Sequence, residues 1–146
     1  MELRIYTPVA GPQDIWSELD LPTEDAKLRE QVSKGFSIRL FNSLASILEM
    51  HPKAMRETLK IPLTTFNRRR DTGRFTMKES DRLYSLIETI FRATDLFEGD
   101  RRAAVEWMNK KAPGLGDKRP IDMLDCHANT QAVLDLITRV EYGVYS

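Results

Sequence analysis

Three consecutive arginines, Arg68, Arg69 and Arg70, follow Thr64, Thr65 and Asn67 in a run that opens with Ile61, Pro62 and Leu63. Hydroxyls and amides hydrogen-bond phosphate oxygens or base edges, and the arginine fork matches the two major-groove acceptors of guanine. At helical spacing Thr64, Asn67 and Arg68 fall near one face, with Thr65 and Arg69 beside them. These are the candidate base-reading residues. Arg70, Arg74 and Lys53 are candidates for phosphate contact, which positions a protein without reading sequence. Other chemistry is thin. Cys126 and His127 are adjacent and His51 is remote, which falls short of the four ligands of a structural zinc site. A Cys–His nucleophile pair is assembled by the fold from separated positions, so adjacency is no evidence for one. Asp122 and Asp125 read as helix caps rather than as a paired acid and base. Gly114-Leu115-Gly116 is too short for a phosphate-cradling loop and precedes no strand–helix unit. The chain reads as no enzyme and calls for no cofactor.

The Arg-rich run needs a helix, and a second short amphipathic segment, Pro52 to Lys60, precedes it with Met55 and Leu59 as its apolar pair. Two short helices with a tight join outline a helix-turn-helix, whose second helix enters the DNA major groove. Pro52 and Pro62 are each expected at a first helical position, where a missing N–H costs little. Leu63 and Phe66 are the expected inward residues of the second helix, and Asp71-Thr72-Gly73 closes it. Many such motifs carry a small residue in the first helix and glycine in the turn. Arg56 and Lys60 stand near those places, and a left-handed lysine costs roughly 1 kcal/mol.

Around this pair the spacing predicts further helices. One runs from Thr23 to Lys34 with Leu28 and Val32 inward and Gly35 as its stop. Another carries Phe36, Leu40, Leu44, Ile47 and Leu48 and ends near Met50. Thr76 and Glu79 form a capping-box pattern ahead of Leu83, Leu86, Ile87, Ile90, Phe91 and Phe97. Asp100 is placed to cap a helix over 101–111 that draws on Val105, Trp107 and Met108. A Pro- and Gly-containing loop spans 112–120, a helical turn spans 121–124, and Asp125 is expected to cap a last helix with Val133, Leu136, Ile137 and Val140. Leu3–Tyr6 is the one candidate strand, in a segment punctuated by Pro8, Gly11, Pro12 and Pro22. The fold class is all-α, divided into an N-terminal arm (1–22), a helix-turn-helix DNA-binding domain (23–99) and a small helical C-terminal domain (100–146).

A chain of 146 residues with 41% hydrophobic and 30% charged residues has an ordinary globular composition. No apolar run approaches the roughly 18 residues of a membrane span, and the acidic, Pro-containing start lacks the pattern of a signal peptide. A single cysteine precludes an internal disulfide and suits a reducing compartment, so a cytoplasmic protein is expected. The net charge of zero conceals an asymmetry. Residues 51–82 hold nine basic and four acidic residues, net +5, whereas residues 1–33 are net −4 and residues 83–146 net −2. A basic block confined to the helix-turn-helix is the asymmetry of a DNA-contacting face, or a solvated charged surface.

A second candidate surface lies at the C-terminus. Asp117, Lys118 and Arg119 form a charged loop tip held by Pro120, and Arg139, Glu141, Tyr142, Tyr145 and Ser146 belong to a short tail with two aromatics. Those tyrosines suit an interface, or fold back on the core. The chain resembles the Xre-type antitoxins of RES–Xre toxin–antitoxin modules, in the Xre/MbcA/ParS toxin-binding group, from about residue 23 onward. The resemblance is carried by Leu63-Thr-Thr-Phe-Asn-Arg-Arg-Arg70, Glu79-Ser-Asp-Arg-Leu83, Ala104-Val-Glu-Trp107, Pro113-Gly-Leu-Gly116, Pro120-Ile-Asp-Met-Leu-Asp125 and Arg139-Val-Glu-Tyr-Gly143. Two departures accompany it. The family usually has a second glycine where this chain has Asp117, and Thr-Glu-x-Gly where it has Cys126-His-Ala-Asn129.

The resemblance implies an antitoxin with two tasks and no cofactor. Its helix-turn-helix would bind the promoter of its own operon as an autorepressor. Its C-terminal domain, through Asp117, Lys118, Arg119, Arg139, Glu141, Tyr142, Tyr145 and Ser146, would bind a RES-domain toxin that consumes NAD and block that toxin's active site. A homodimer is also implied, matching two-fold half-sites about 10 bp apart. The alternative is a plain helix-turn-helix transcriptional regulator whose C-terminal domain dimerises or senses a ligand.

Overall fold

The structure is a computed structural model that describes residues 14–143. Its elements run in the order α1 (Ile15–Glu18), α2 (Asp25–Lys34), α3 (Ile38–Ile47), α4 (Pro52–Thr58), α5 (Leu63–Thr72), α6 (Met77–Leu96), α7 (Arg101–Met108), two 3-10 turns (Pro113–Leu115 and Pro120–Asp122) and α8 (His127–Glu141). Among the described residues there is no strand, only isolated bridges pairing Ser37 with Arg74 and Ala112 with Lys118. The fold is all-α, and the candidate strand Leu3–Tyr6 lies outside the described residues.

Helix α6 is the axis. Its capping box forms as the sequence predicts: the Thr76 hydroxyl accepts from the Glu79 N–H at 3.2 Å, and the Glu79 carboxylate accepts from the Thr76 N–H at 2.9 Å. Ser80, Leu83, Leu86, Ile87, Thr89, Ile90 and Ala93 are buried along its length. Helix α6 packs against α1, α2, α7 and α8. One continuous apolar core results, reaching from Ile15 to Ile137. The segment expected as an arm contributes to it: Ile15, Leu19 and Leu21 are buried, and the Trp16 ring lies 6.0 Å from Tyr84 and 5.8 Å from Phe91. Glu18 pairs with Arg101 on α7.

Helices α3, α4 and α5 are each opened by local chemistry. Ser37 caps α3 through its hydroxyl, which accepts from the Leu40 N–H at 3.1 Å. Pro52 is the first residue of α4, and the His51 ring nitrogen accepts from the Lys53 N–H at 3.0 Å. Pro62 differs from expectation, because it stands before the first turn of α5 as the capping residue. Leu63 differs more, being 56% exposed where an inward residue was expected. Phe66 is the one buried residue of this ten-residue helix, and the first residue, Leu63, lies off the core. The Phe66 ring packs 4.9 Å from Phe41, which in turn lies 5.7 Å from Phe75.

The turn between α4 and α5 takes the left-handed residue that the sequence implied: Lys60 has φ 56°. The Ile61 N–H reaches back to the Arg56 carbonyl at 3.0 Å, closing α4 in the manner of a glycine-capped helix. Two arginines then cover the turn's carbonyls. Arg56 donates to the Ile61 oxygen at 3.0 Å, and Arg82 of α6 donates to the Leu59 oxygen at 2.7 Å. Arg56 is therefore part of what holds the turn.

The connections flanking α3 and α5 cross backbone to backbone. The Phe75 N–H donates to the Phe36 carbonyl at 2.9 Å, the Ile38 N–H to the Gly73 carbonyl at 3.0 Å, and the Phe36 N–H to the buried Ser80 hydroxyl at 2.7 Å. Gly35 makes the crossing feasible, since a Cβ there would stand 2.1 Å from the Phe75 carbonyl oxygen, at a φ of 95°. Gly73 also has a positive φ, 83°, but faces open space.

Arg69 fastens α5 to α6 through a bidentate pair with Glu79, at 2.7 and 3.1 Å, with the two side chains 20% and 10% exposed. Burial alone would raise the Glu79 carboxyl, but the Arg69 hydrogen bonds and charge and the donors of Thr76 outweigh it, and the group is held below its ordinary value.

The backbone crossing and the Arg69–Glu79 pair can each be tested by substitution. Gly35→Ala should destabilise the fold by roughly 3 kcal/mol or more in chemical denaturation, because backbone must move, whereas Gly73→Ala should cost about 1 kcal/mol. Glu79 stabilises the fold fully above its unfolded value near 4.3, and that contribution disappears as pH falls through the lowered folded value. Glu79→Gln should therefore cost about 1–3 kcal/mol at neutral pH, and its denaturation free energy should fall less steeply than that of the parent on acidification below about pH 4.5.

Candidate functional site

The exposed surface of α5 is set by what its buried side holds. Phe66 anchors one face in the aromatic cluster, and Arg69, one turn later, is drawn inward by Glu79. The opposite face is consequently Thr64, Asn67, Arg68 and Asp71, all exposed, with Thr65 half-buried at its border. Three candidate readers, Thr64, Asn67 and Arg68, are thus brought together on one solvent-facing surface. Arg70 is exposed on the flank of the helix. Lys53 is exposed in the first turn of α4, beside the His51 cap.

Two expected DNA-contacting arginines have structural partners. The Arg69 guanidinium is occupied by both carboxylate oxygens of Glu79. Arg74, although exposed, donates to the Gly35 carbonyl at 2.8 Å across the backbone crossing. Sequence reasoning missed the first because it placed Glu79 only as a cap, and the second because the Gly35 carbonyl lies 39 residues away in the chain. It also missed Asp71 as a carboxylate on the same exposed face and Leu63 as an exposed apolar residue at the start of α5. The signal for Asp71 was present, since it lies four residues after Asn67 on the same helix.

The C-terminal surface is built on a loop that packs its Pro113–Leu115 turn against α8. The Ala112 N–H donates to the Lys118 carbonyl at 3.0 Å, and the Asp117 N–H donates to the Ala112 carbonyl at 3.0 Å. Gly116 and Asp117 are both left-handed, with φ 67° and 62°. Asp117 thus holds a conformation native to glycine, and aspartate is one of the side chains that tolerate it. Asp117 and Lys118 project into solvent at the loop tip. Arg119 is pinned by a bidentate pair with Asp122 at 2.8 and 2.9 Å, so Asp122 orients an arginine rather than capping a helix.

Asp125 does not cap α8 either. The capping position is Cys126, whose side chain makes no cap hydrogen bond, and Asp125 instead accepts from the Asn129 amide at 3.0 Å. That amide lowers the Asp125 carboxyl from its ordinary value, with a smaller contribution from the charges of Lys60 and Arg82. At the far end of α8, Arg139 is half-buried, Glu141 is exposed and Tyr142 is 76% exposed. Tyr145 and Ser146 lie outside the described residues.

Among the described residues no three His, Cys, Asp or Glu side chains are grouped to hold a metal ion, and no helix is long and apolar enough to cross a membrane. The arrangement offers two polar surfaces, one basic and helical, the other a loop tip and a helix end.

Comparison with known proteins gives the two parts separate relatives. Residues 27–88 match the family described as the antitoxin Xre-like helix-turn-helix domain, and residues 92–143 match the antitoxin Xre/MbcA/ParS C-terminal toxin-binding domain. The chain is 32% identical to the Antitoxin Xre of Yersinia enterocolitica serotype O:8 / biotype 1B over 148 residues, covering 99% of this chain and 100% of that relative. It is 27% identical to the Antitoxin Xre of Photorhabdus laumondii subsp. laumondii with the same coverage. With both domains matched in order and a full-length relative at this identity, the chain belongs to the family of Xre antitoxins.

Proposed function

We propose that this Xre-family antitoxin works within a type II module on two partners: a RES-domain toxin that consumes NAD, whose active site it blocks, and the promoter of its own operon, which it represses. The observation that carries the DNA half is the shared exposure of Thr64, Asn67 and Arg68 on α5, with Phe66 buried behind them. Asn and Arg offer the bidentate geometry that distinguishes adenine and guanine in the major groove. Thr65 borders the reading face, and Arg70 and Lys53 supply phosphate contacts. Arg69 and Arg74 keep the helix in place, through Glu79 and Gly35 respectively.

The toxin half is supported by the match of residues 92–143 to a toxin-binding domain. Its contacts are the loop tip at Asp117, Lys118 and Arg119, and the end of α8 with Arg139, Glu141 and Tyr142 continuing to Tyr145 and Ser146. Tyr142 is the anchor of that surface, because a large exposed aromatic carries high binding energy at low entropic cost. The protein acts as a homodimer in the cytoplasm, its two reading helices addressing half-sites about one helical turn apart.

Asn67→Ala and Arg68→Ala should each lose about 1–3 kcal/mol for promoter DNA and relax specificity in anisotropy titrations. Arg70→Ala should weaken all duplexes alike and reduce the salt slope by about one. An unchanged promoter affinity in the first two variants would exclude α5 as the reader. For the toxin, Tyr142→Ala should weaken inhibition of NAD consumption by about tenfold or more while leaving promoter binding intact. Full inhibition by that variant would remove the end of α8 from the toxin interface.

A further inference from the structure

Three large apolar side chains are strongly exposed among the described residues: Leu63, Met77 and Tyr142. Tyr142 belongs to the surface already assigned to the toxin, and the Met77 sulfur accepts from the Ser33 hydroxyl at 3.8 Å, beside α2. Leu63 stands at a different kind of place. It is the first residue of α5, 56% exposed, immediately before Thr64 and four residues before Asn67. At about 100° per residue, its side chain lies about 40° around the helix from Asn67 and on the N-terminal turn. The end of a recognition helix that penetrates the groove is this N-terminal turn.

An exposed leucine there has few suitable partners on a base pair. It neither donates nor accepts, so against the guanine acceptors or the cytosine and adenine amino groups it would displace water and leave those groups unpaired. Thymine alone presents an apolar group in the major groove, its C5 methyl. We infer that Leu63 is a specificity residue that selects a thymine by packing on its C5 methyl, next to the bases contacted by Thr64 and Asn67. The inference rests on the proposed DNA-binding role of α5 and adds to it a base preference read through apolar contact. The displacement of Leu63 from the core, where the sequence pattern would put it, is the observation behind it.

The test uses the full-length protein and a duplex selected by it from a random-sequence library. Each thymine of the selected site is replaced singly by deoxyuridine, which removes the methyl and nothing else, and affinity is read by anisotropy. One thymine per half-site should show about a fourfold loss on replacement, the equivalent of about 0.8 kcal/mol for one buried methyl. Leu63→Ala should bind the thymine and uracil duplexes equally. Alanine is a strong helix former, and the replaced side chain is exposed, so the variant's melting curve should match the parent's. If every thymine tolerates uracil, or if Leu63→Ala keeps the fourfold discrimination, the assignment of Leu63 is overturned while DNA reading by α5 stands. A library that yields no enriched sequence would overturn the DNA-binding reading itself, and this inference with it. The uracil scan on the parent protein needs no variant, so misfolding cannot obscure the answer.

Discussion

Burial of α6 on more than one side is the constraint from which the rest of the structure follows. A helix packed from several directions must be apolar around most of its circumference, or satisfy each polar group it buries. This one does both. Leu83, Leu86, Ile87, Ile90 and Ala93 supply the apolar surface. Ser80 accepts from the Phe36 N–H, and Thr89 donates to the Ser85 carbonyl at 2.7 Å within the helix itself. Because α1, α2, α7 and α8 all pack on α6, the two parts of the antitoxin share a single support. The two family matches change over within α6, between residues 88 and 92. The change of role along the chain occurs in the middle of a rigid element.

The same helix decides what the basic block means. In sequence the nine cations of residues 51–82 look like one DNA-binding charge. In the fold, Arg56 and Arg82 cover carbonyls of the α4–α5 turn, Arg69 is paired with Glu79, and Arg74 ties the α2–α3 connection. Guanidinium groups suit these posts because they reach several acceptors in a plane and remain charged when partly buried. The exposed remainder on and beside α5 is smaller, and it is concentrated at Arg68, Arg70, Lys53 and Lys60. Sharing the block between scaffold and surface also explains how a left-handed lysine is tolerated in the turn: the carbonyls around Lys60 are held from both sides.

Legibility in the sequence followed the range of the interactions. The Thr76/Glu79 box, the Asp100 cap, the left-handed Lys60 and the closing Gly73 are contacts within a few residues, and each was readable from neighbours alone. Asp122 and Asp125 were misread because caps compete with partners a turn away, namely the Arg119 fork for Asp122 and the Asn129 amide for Asp125, and Pro62 was misplaced by one position at the helix start. The docking of Ile15, Leu19 and Leu21 was not readable either. A four-residue helix between prolines carries too little periodicity to announce a buried face, and what buries it is α6, some seventy residues on.

By itself the sequence determined the all-α class, the order of the main helices, the Thr76 and Asp100 caps, and the run on which Thr64, Asn67 and Arg68 share a face. These depend on local sterics, local hydrogen bonds and the helical repeat, which act within one or two turns. Only the tertiary structure decided which members of that run face solvent. Glu79, held at the start of α6 by its own cap, draws Arg69 inward, and Phe66 is held by Phe41 and Phe75 while Leu63 stays exposed. The physical reason is that a short helix with one buried anchor takes its rotation from its neighbours, and no periodicity within ten residues can encode that choice.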